Sequence, residues 1–238
     1  MEKLIFVLWN DGNEDRSHLN RRLLGEAADQ LGSDGVIQRV QINARDDRVA
    51  AGSALEQGEN LPAATVSLWL PSAHEAWRVD NILRPIALGG LAAFSVVEST
   101  VLPHGSPPAP DGRCEGFSQL AFFRRRAGLG PEEFREIWLN DHREVAIATQ
   151  ETFHYTQNIV YRPITPNAPH WDGIVDEWYP DAALIDPLIY WKAGGSVDRQ
   201  EFNFQRETQS VLRFVDLSGM ALIITSAYRI GGWSDAAT

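Results

Sequence analysis

The sequence predicts an α+β protein built as two β-α-β-β-α-β halves that pack sheet to sheet within one chain. Two observations predict it: an internal repeat, and the same order of strand and helix patterns in each half. Val66-Ser67-Leu68-Trp69-Leu70-Pro71-Ser72 aligns without a gap on Val175-Asp176-Glu177-Trp178-Tyr179-Pro180-Asp181, so that Trp69 and Trp178 stand 109 residues apart. Ile82-Leu83-Arg84-Pro85-Ile86 aligns on Val211-Leu212-Arg213-Phe214-Val215, and the apolar run Leu91 to Ser99 aligns on Met220 to Tyr228. Arg84 and Arg213 are 129 residues apart, so the second half has gained 20 residues, placed near 182–200. Two collinear matches in one order are the mark of a repeated supersecondary unit.

In the first half, Leu4–Trp9 reads as a strand. His18–Leu31 reads as a helix with Ser17 as N-cap. Val36–Asn43 alternates apolar and polar residues, as a half-buried strand does. Thr65–Leu70 is the third strand, Ala73–Leu83 the second helix and Ala93–Leu102 the fourth strand. In the second half, Phe117–Phe123 is a strand. Pro131 to Thr149 is a helix with proline at its first position and Glu132 and Glu133 in its first turn, where the helix dipole favours acids. Phe153–Arg162 and Ile174–Tyr179 follow as strands, Asp198–Leu212 as a helix and Met220–Ile230 as the last strand. Residues 104–116 carry a Pro/Gly-rich linker, His104-Gly105-Ser106-Pro107-Pro108-Ala109-Pro110-Asp111-Gly112, which divides the chain into units 1–103 and 117–232. This order is that of the split βαβ, or ferredoxin-like, unit. Its helices cover one sheet face, and the second copy is expected to cover the other.

Composition narrows the function. The chain has 238 residues and a formal net charge of −11. Such a charge repels phosphates, so neither nucleic acid nor an anionic membrane is an expected partner. The one basic cluster, Arg124-Arg125-Arg126, is short and sits in a turn between strand and helix. A single cysteine, Cys114, leaves no intramolecular disulfide and no cysteine-based zinc site. The apolar stretch Leu4 to Trp9 is too short for a signal-peptide core or a membrane span. A cytoplasmic protein is the expectation. No P-loop, dinucleotide-binding glycine fingerprint or Gly-x-Ser-x-Gly elbow occurs. The six histidines lack the helical pairing of a zinc helix, so neither metal nor cofactor is expected.

The run Phe122-Phe123-Arg124-Arg125-Arg126-Ala127-Gly128-Leu129-Gly130-Pro131-Glu132-Glu133-Phe134-Arg135-Glu136-Ile137-Trp138-Leu139-Asn140-Asp141-His142 resembles the EthD family of the dimeric α/β-barrel superfamily. The basic turn, Gly-Leu, the Pro-Glu-Glu-Phe helix start and Trp-x-x-x-His carry the likeness. Tyr155-Thr156-Gln157-Asn158 and Arg213-Phe214-Val215-Asp216 extend it, so that it covers about 117–230. The resemblance implies a barrel that relatives assemble from two chains and that this chain makes alone, as an intrachain pseudo-dimer, with further homodimer formation left open. The first half lacks Trp-x-x-x-His, so one competent site is expected, in the second half, with the first half as scaffold. Some barrels of this superfamily bind haem, but basic residues to hold its propionates are not evident here.

On the predicted helix, Phe134, Ile137, Trp138, Asp141, His142 and Val145 share one face. His142, half-buried one turn beyond Trp138, is the candidate acid or base. Its bland alternative is a hydrogen-bonded core histidine. On the next strand Tyr155 and Gln157 share one face and His154 and Asn158 the other; alternation leaves open which set meets His142. Phe122, Trp138, Tyr155 and Trp178 are the expected ring lining, joined by Tyr190 or Trp191 from the inserted segment, which is either a lid or a surface loop. Rings with few polar groups suit a small apolar or aromatic molecule. The expected function is cofactor-free, His-mediated proton transfer on an aromatic, polyketide-like or terpenoid compound. A non-catalytic binding or accessory protein is the alternative.

Overall fold

The computed structural model describes residues 1–12 and 15–233. Eight strands close into one antiparallel barrel: β1 (Glu2–Trp9), β2 (Arg39–Ala44), β3 (Ala64–Leu70), β4 (Gly90–Leu102), β5 (Phe117–Arg125), β6 (His154–Pro163), β7 (Gly173–Tyr179) and β8 (Val215–Ile230). Around the barrel they run β1-β3-β2-β8-β5-β7-β6-β4. Each half therefore keeps its four strands adjacent, in the same order. The halves meet at two seams, β2 against β8 and β4 against β6. The expected pairing of two facing sheets is thus realised edge to edge, which pairs every strand on both sides and leaves no open edge.

Helices lie outside the barrel. In the first half, α1 comprises Arg16–Arg22 and Ala28–Ser33 joined through a wide turn at Leu23–Ala27, and α2 spans Ala76–Leu83. The N-cap of α1 is Asp15, whose carboxylate accepts from the backbone N–H of Ser17, so the expected Ser17 cap lies two residues too late. In the second half, α3 runs as Pro131–Glu136, Ile137–His142 and Arg143–Thr149. The short α4 (Pro187–Tyr190) and α5 (Val197–Val211) follow. None of the described helices is long and apolar enough to cross a membrane.

Strand alternation divides the core into three compartments. Leu4, Phe6 and Leu8 of β1 pack outward with Leu19, Leu23 and Leu31 of α1, in a dense apolar layer under the first-half helices. Phe117, Phe123, Phe134, Trp138 and Phe214 form the layer under the second-half helices. Ile5, Val7, Phe94, Phe122, Ile174 and Ile223 fill one end of the barrel interior. The other end of the interior is polar, with Gln41, Asn43, Ser118, Asp176 and Thr225 all buried and hydrogen-bonded to one another.

Candidate functional site

Helix α3 is the centre of the site. Gly130 precedes Pro131 at its first position, and Glu132 and Glu133 occupy the first turn. The middle segment, Ile137–His142, is π-helical. Its wide turn rotates less per residue than an α-helix, so every fourth residue returns to the same side. The buried face is therefore Phe134, Trp138, His142 and Ala146. Asp141, which ideal α-helical spacing puts on that face, is exposed and pairs with Arg213 at 2.6 Å.

Trp138 is held on every side. Its ring meets Phe123 edge-on at 5.0 Å and stacks on Phe214 at 6.3 Å. Its carbonyl accepts from Gln157 Nε2 at 2.9 Å. Gly173 gives it room: a Cβ there would lie 2.6 Å from the Phe123 ring and 2.8 Å from Trp138.

A cavity of about 440 Å³ lies between the outer face of β5, β7 and β8 and the second-half helices. Phe123, Trp138, Tyr155, Tyr190, Trp191 and Phe204 provide its rings, and Gln119, His142, Gln150, Glu177 and Glu207 its polar groups. Ala54, Leu55 and Gln57 complete the wall from the first half. They follow from the 3-10 helix Asp47–Leu55 and the bridge between Gln57 and Leu222. The first half is thus more than a distant scaffold.

The titratable groups form two linked sets. His142 Nδ1 lies 3.0 Å from Ser210 Oγ, and its Nε2 lies 3.4 Å from Glu207 Oε1. Glu207 Oε2 accepts from Thr149 Oγ1 at 3.0 Å. Burial, assisted by the charge of Arg213, pushes the His142 imidazolium down to about 4. Burial pushes Glu207 up to about 7. Glu177 accepts from Tyr179 OH at 3.2 Å, and burial together with the charge of Glu207 raises it to about 8. Tyr190 OH donates to Gln119 Oε1 at 2.9 Å and accepts from Gln150 Nε2 at 3.3 Å. The inserted segment therefore contributes part of the wall.

The structure brings His142, Trp138 and Tyr155 together at this cavity, with Gln157 tying Trp138 to the Tyr155 hydroxyl at 3.0 Å. It places His154, Asn158, Phe122 and Trp178 inside the barrel, on the opposite face of the sheet. The period of two along a strand forces this separation. Phe122 packs on Trp171 at 4.7 Å, Asn158 donates to the Ile174 carbonyl, and His154 lies 4.4 Å from Trp178. Glu177, Glu207, Gln119 and Gln150 escaped the sequence reading. Asp176-Glu177 inside an apolar strand was a usable signal, because adjacent acids there must be buried on opposite faces. Glu207 carried none, since acidic residues on helices are mostly solvated.

A haem does not match this wall. Both ring nitrogens of His142 are engaged by Ser210 and Glu207, and no lysine or arginine lines the cavity. Among the described residues no group of three His, Cys, Asp or Glu side chains is placed to hold a metal ion.

Residues 126–193, which contain α3, β6, β7 and Tyr190, match the model of the EthD domain. No curated protein sequence matches the chain. The crystal structure of an anthrone oxidase-like protein is similar at a TM-score of 0.62 and 8% identity, over 100% of this chain and 95% of that one. A protein proposed as a monooxygenase from Lactobacillus acidophilus NCFM scores 0.46 at 8% identity, over 96% and 93% of the two chains. A mutant chlorite dismutase from Candidatus Nitrospira defluvii scores 0.45 at 9% identity, over 95% and 90%. At such identities the first of these likenesses is one of fold alone.

Proposed function

We propose that this chain, which carries an EthD domain, is an enzyme that acts without a cofactor on a small aromatic, polyketide-like or terpenoid compound by proton transfer at the His142–Glu207 pair. One observation carries the reading. A neutral imidazole is joined to a carboxyl group that titrates near neutral pH, at the wall of a ring-lined cavity.

The imidazole is neutral in both protonation states of the pair. When Nδ1 accepts from the Ser210 hydroxyl, Nε2–H donates to the Glu207 carboxylate. When Glu207 gains a proton it donates to Nε2, and Nδ1–H turns to Ser210. The two arrangements differ by one proton taken up at the carboxyl group, and a tautomer change in His142 accommodates it. Glu207 is then the group that removes an acidic C–H or O–H proton, and His142 sets its affinity for it. Glu177, held protonated at neutral pH, is a hydrogen-bond donor for a carbonyl or phenol oxygen. Cyclisation, dehydration and cofactor-free oxygenation can begin with such a step, whereas decarboxylation would draw instead on Glu177 as donor to the carbonyl that takes up the electron pair. The two halves are read as copies of one duplicated unit. Their shared strand order supports this, as does the entry of Trp69 and Trp178 into the interior at the same end of the barrel.

The test is turnover of fused-ring phenols and ketones of the anthrone type, chosen from the chemistry named by the structural neighbour. Glu207→Gln and His142→Gln are each expected to lower kcat by about 10²–10⁴-fold while Kd changes little. A second reading, a binding protein for the same class of molecule, is favoured by one fact: both ring nitrogens of His142 already have protein partners. It predicts that these substitutions alter Kd and that no panel compound is turned over.

A further inference from the structure

The polar end of the barrel interior holds a second cavity, of about 340 Å³, on the other side of the sheet from His142. Its walls come from β1, β2, β3, β4, β6, β7 and β8, and the linker crosses it from Pro103 to Pro108. Its charges are not balanced. Glu98 is satisfied by Lys3 Nζ at 2.6 Å and by Trp69 Nε1 at 2.9 Å. Asp176 accepts from Ser118 Oγ at 2.7 Å and Trp178 Nε1 at 2.8 Å on one oxygen, and from Gln41 Nε2 at 2.7 Å on the other. Both carboxylates are therefore used up by donors of their own.

The cations are not used up. Arg39 and Arg229 also line the cavity, and neither forms an ion pair among the described residues. Their guanidinium groups are instead stacked on rings. Arg229 lies 4.3 Å from the centre of Trp233 and 4.8 Å from that of Trp178, and Arg39 lies 5.6 Å from Trp233. Stacking occupies the faces of a guanidinium and leaves its edge N–H groups for in-plane acceptors; Arg229 Nη1 makes a long hydrogen bond to the His104 carbonyl oxygen at 3.4 Å, while its Nε–H has no partner among the described residues. Three buried nitrogens in the same wall lack a partner among the described residues: Arg229 Nε, His104 Nε2 and His154 Nδ1. His154 is only 6% exposed. His104, His154 and Arg229 all surround Trp178, at 5.0, 4.4 and 4.8 Å. Trp69 and Trp233 meet edge to face at 5.2 Å at the rim.

We infer that this end of the barrel is a binding site for a small aromatic carboxylate, held at its acid group by Arg39 and Arg229 and at its ring by Trp69 and Trp233. Guanidinium groups without an ion pair call for an anionic acceptor, and a ring N–H of His104 or His154 can add a donor to it, depending on the tautomer. The two indoles on the wall, Trp69 and Trp233, call for a flat apolar body rather than a bare inorganic ion. The volume suits one or two fused rings. The sheet separates the two cavities and they share no lining residue, so binding here does not require the chemistry proposed at His142.

Isothermal titration of the whole chain with 1-naphthoate, neutral 1-naphthamide and inorganic phosphate tests it. Naphthoate is expected to bind at least about tenfold more tightly than either of the others. Arg229→Gln and Arg39→Gln are each expected to weaken it about tenfold, and His142→Gln to leave it unchanged. Arg39, at the half-buried rim, carries the same prediction should Arg229→Gln fail to fold. Equal affinity for acid and amide, binding of phosphate as tight as naphthoate, no binding of naphthoate, or loss in His142→Gln with none in the arginine variants would each overturn the proposal.

Discussion

Glu207 and Glu177 hold protons in the folded chain that an unfolded chain releases at much lower pH. Their folded values, about 7 and about 8, lie above the ordinary 4.5. The native state therefore binds more protons than the unfolded state across this window. The stability these acids contribute is full below about pH 4.5 and is lost as the pH rises through 7 and 8. Thermal unfolding followed upward from about pH 6 should show a falling Tm, and the fall should be shallower in Glu177→Gln and Glu207→Gln. His142 works in the opposite direction. Its folded value of about 4 lies below the ordinary 6.5, so its contribution is full above 6.5 and is lost on acidification toward 4. His142→Gln should lose less stability than wild type over that acid range. In catalysis, kcat/KM should follow a narrow bell, rising with pH near 7 as Glu207 ionises to accept a proton and falling near 8 as Glu177 loses the proton it donates. A pH-independent rate would remove Glu207 from the role of base. His142 and Trp138 could be read from the sequence because their spacing and neighbours were informative. Glu207 could not, since what distinguishes it is burial by α3 and the partnership with His142.

At the scale of an element, α3 shows both the reach and the limit of periodicity. Its start at Pro131, its end at Thr149 and its buried Phe134, Trp138 and His142 follow from the sequence. The exposure of Asp141 does not, because the phase of the helix is set by the π-helical segment between Ile137 and His142. Strand β6 teaches a related lesson. Alternation separated Tyr155 and Gln157 from His154 and Asn158 but gave no sign of which side the helices would take. That choice is made by long-range packing of Trp138 against Phe123 and Phe214. Gly173 at the start of β7 is the element-scale test. Gly173→Ala inserts a Cβ 2.6 Å from Phe123 and 2.8 Å from Trp138. It should destabilise the chain by about 1–3 kcal/mol. It should also displace Trp138, visible as a change in tryptophan emission. An unchanged Tm and spectrum would show that these rings are less tightly held than the packing implies.

For the whole molecule, the order of strands within each half was legible because each half carries the strand and helix pattern of a ferredoxin-like unit. The seams were not, because pairing of β2 with β8 and β4 with β6 joins residues far apart in sequence that carry no mutual signal. Closure within one chain also removes any dependence of this barrel on protein concentration. Barrel stability should not follow mass action, and Tm should stay constant over about a hundredfold dilution. A Tm that falls on dilution would reveal that association between chains contributes to the fold.

Strand β7 is a thin partition with an acid on each side: Asp176 faces the barrel interior and Glu177 the helix-side cavity, one peptide unit apart. Negative charge on Asp176 is among the influences that raise Glu177, after burial and the charge of Glu207. The two chambers therefore communicate electrostatically across a wall through which no molecule need pass. Neutralising Asp176 as Asn should lower the titration point of Glu177, and an anion lodged near Asp176 should raise it. Thermodynamic reciprocity then requires that a charge developed in the helix-side chamber weaken anion binding in the other.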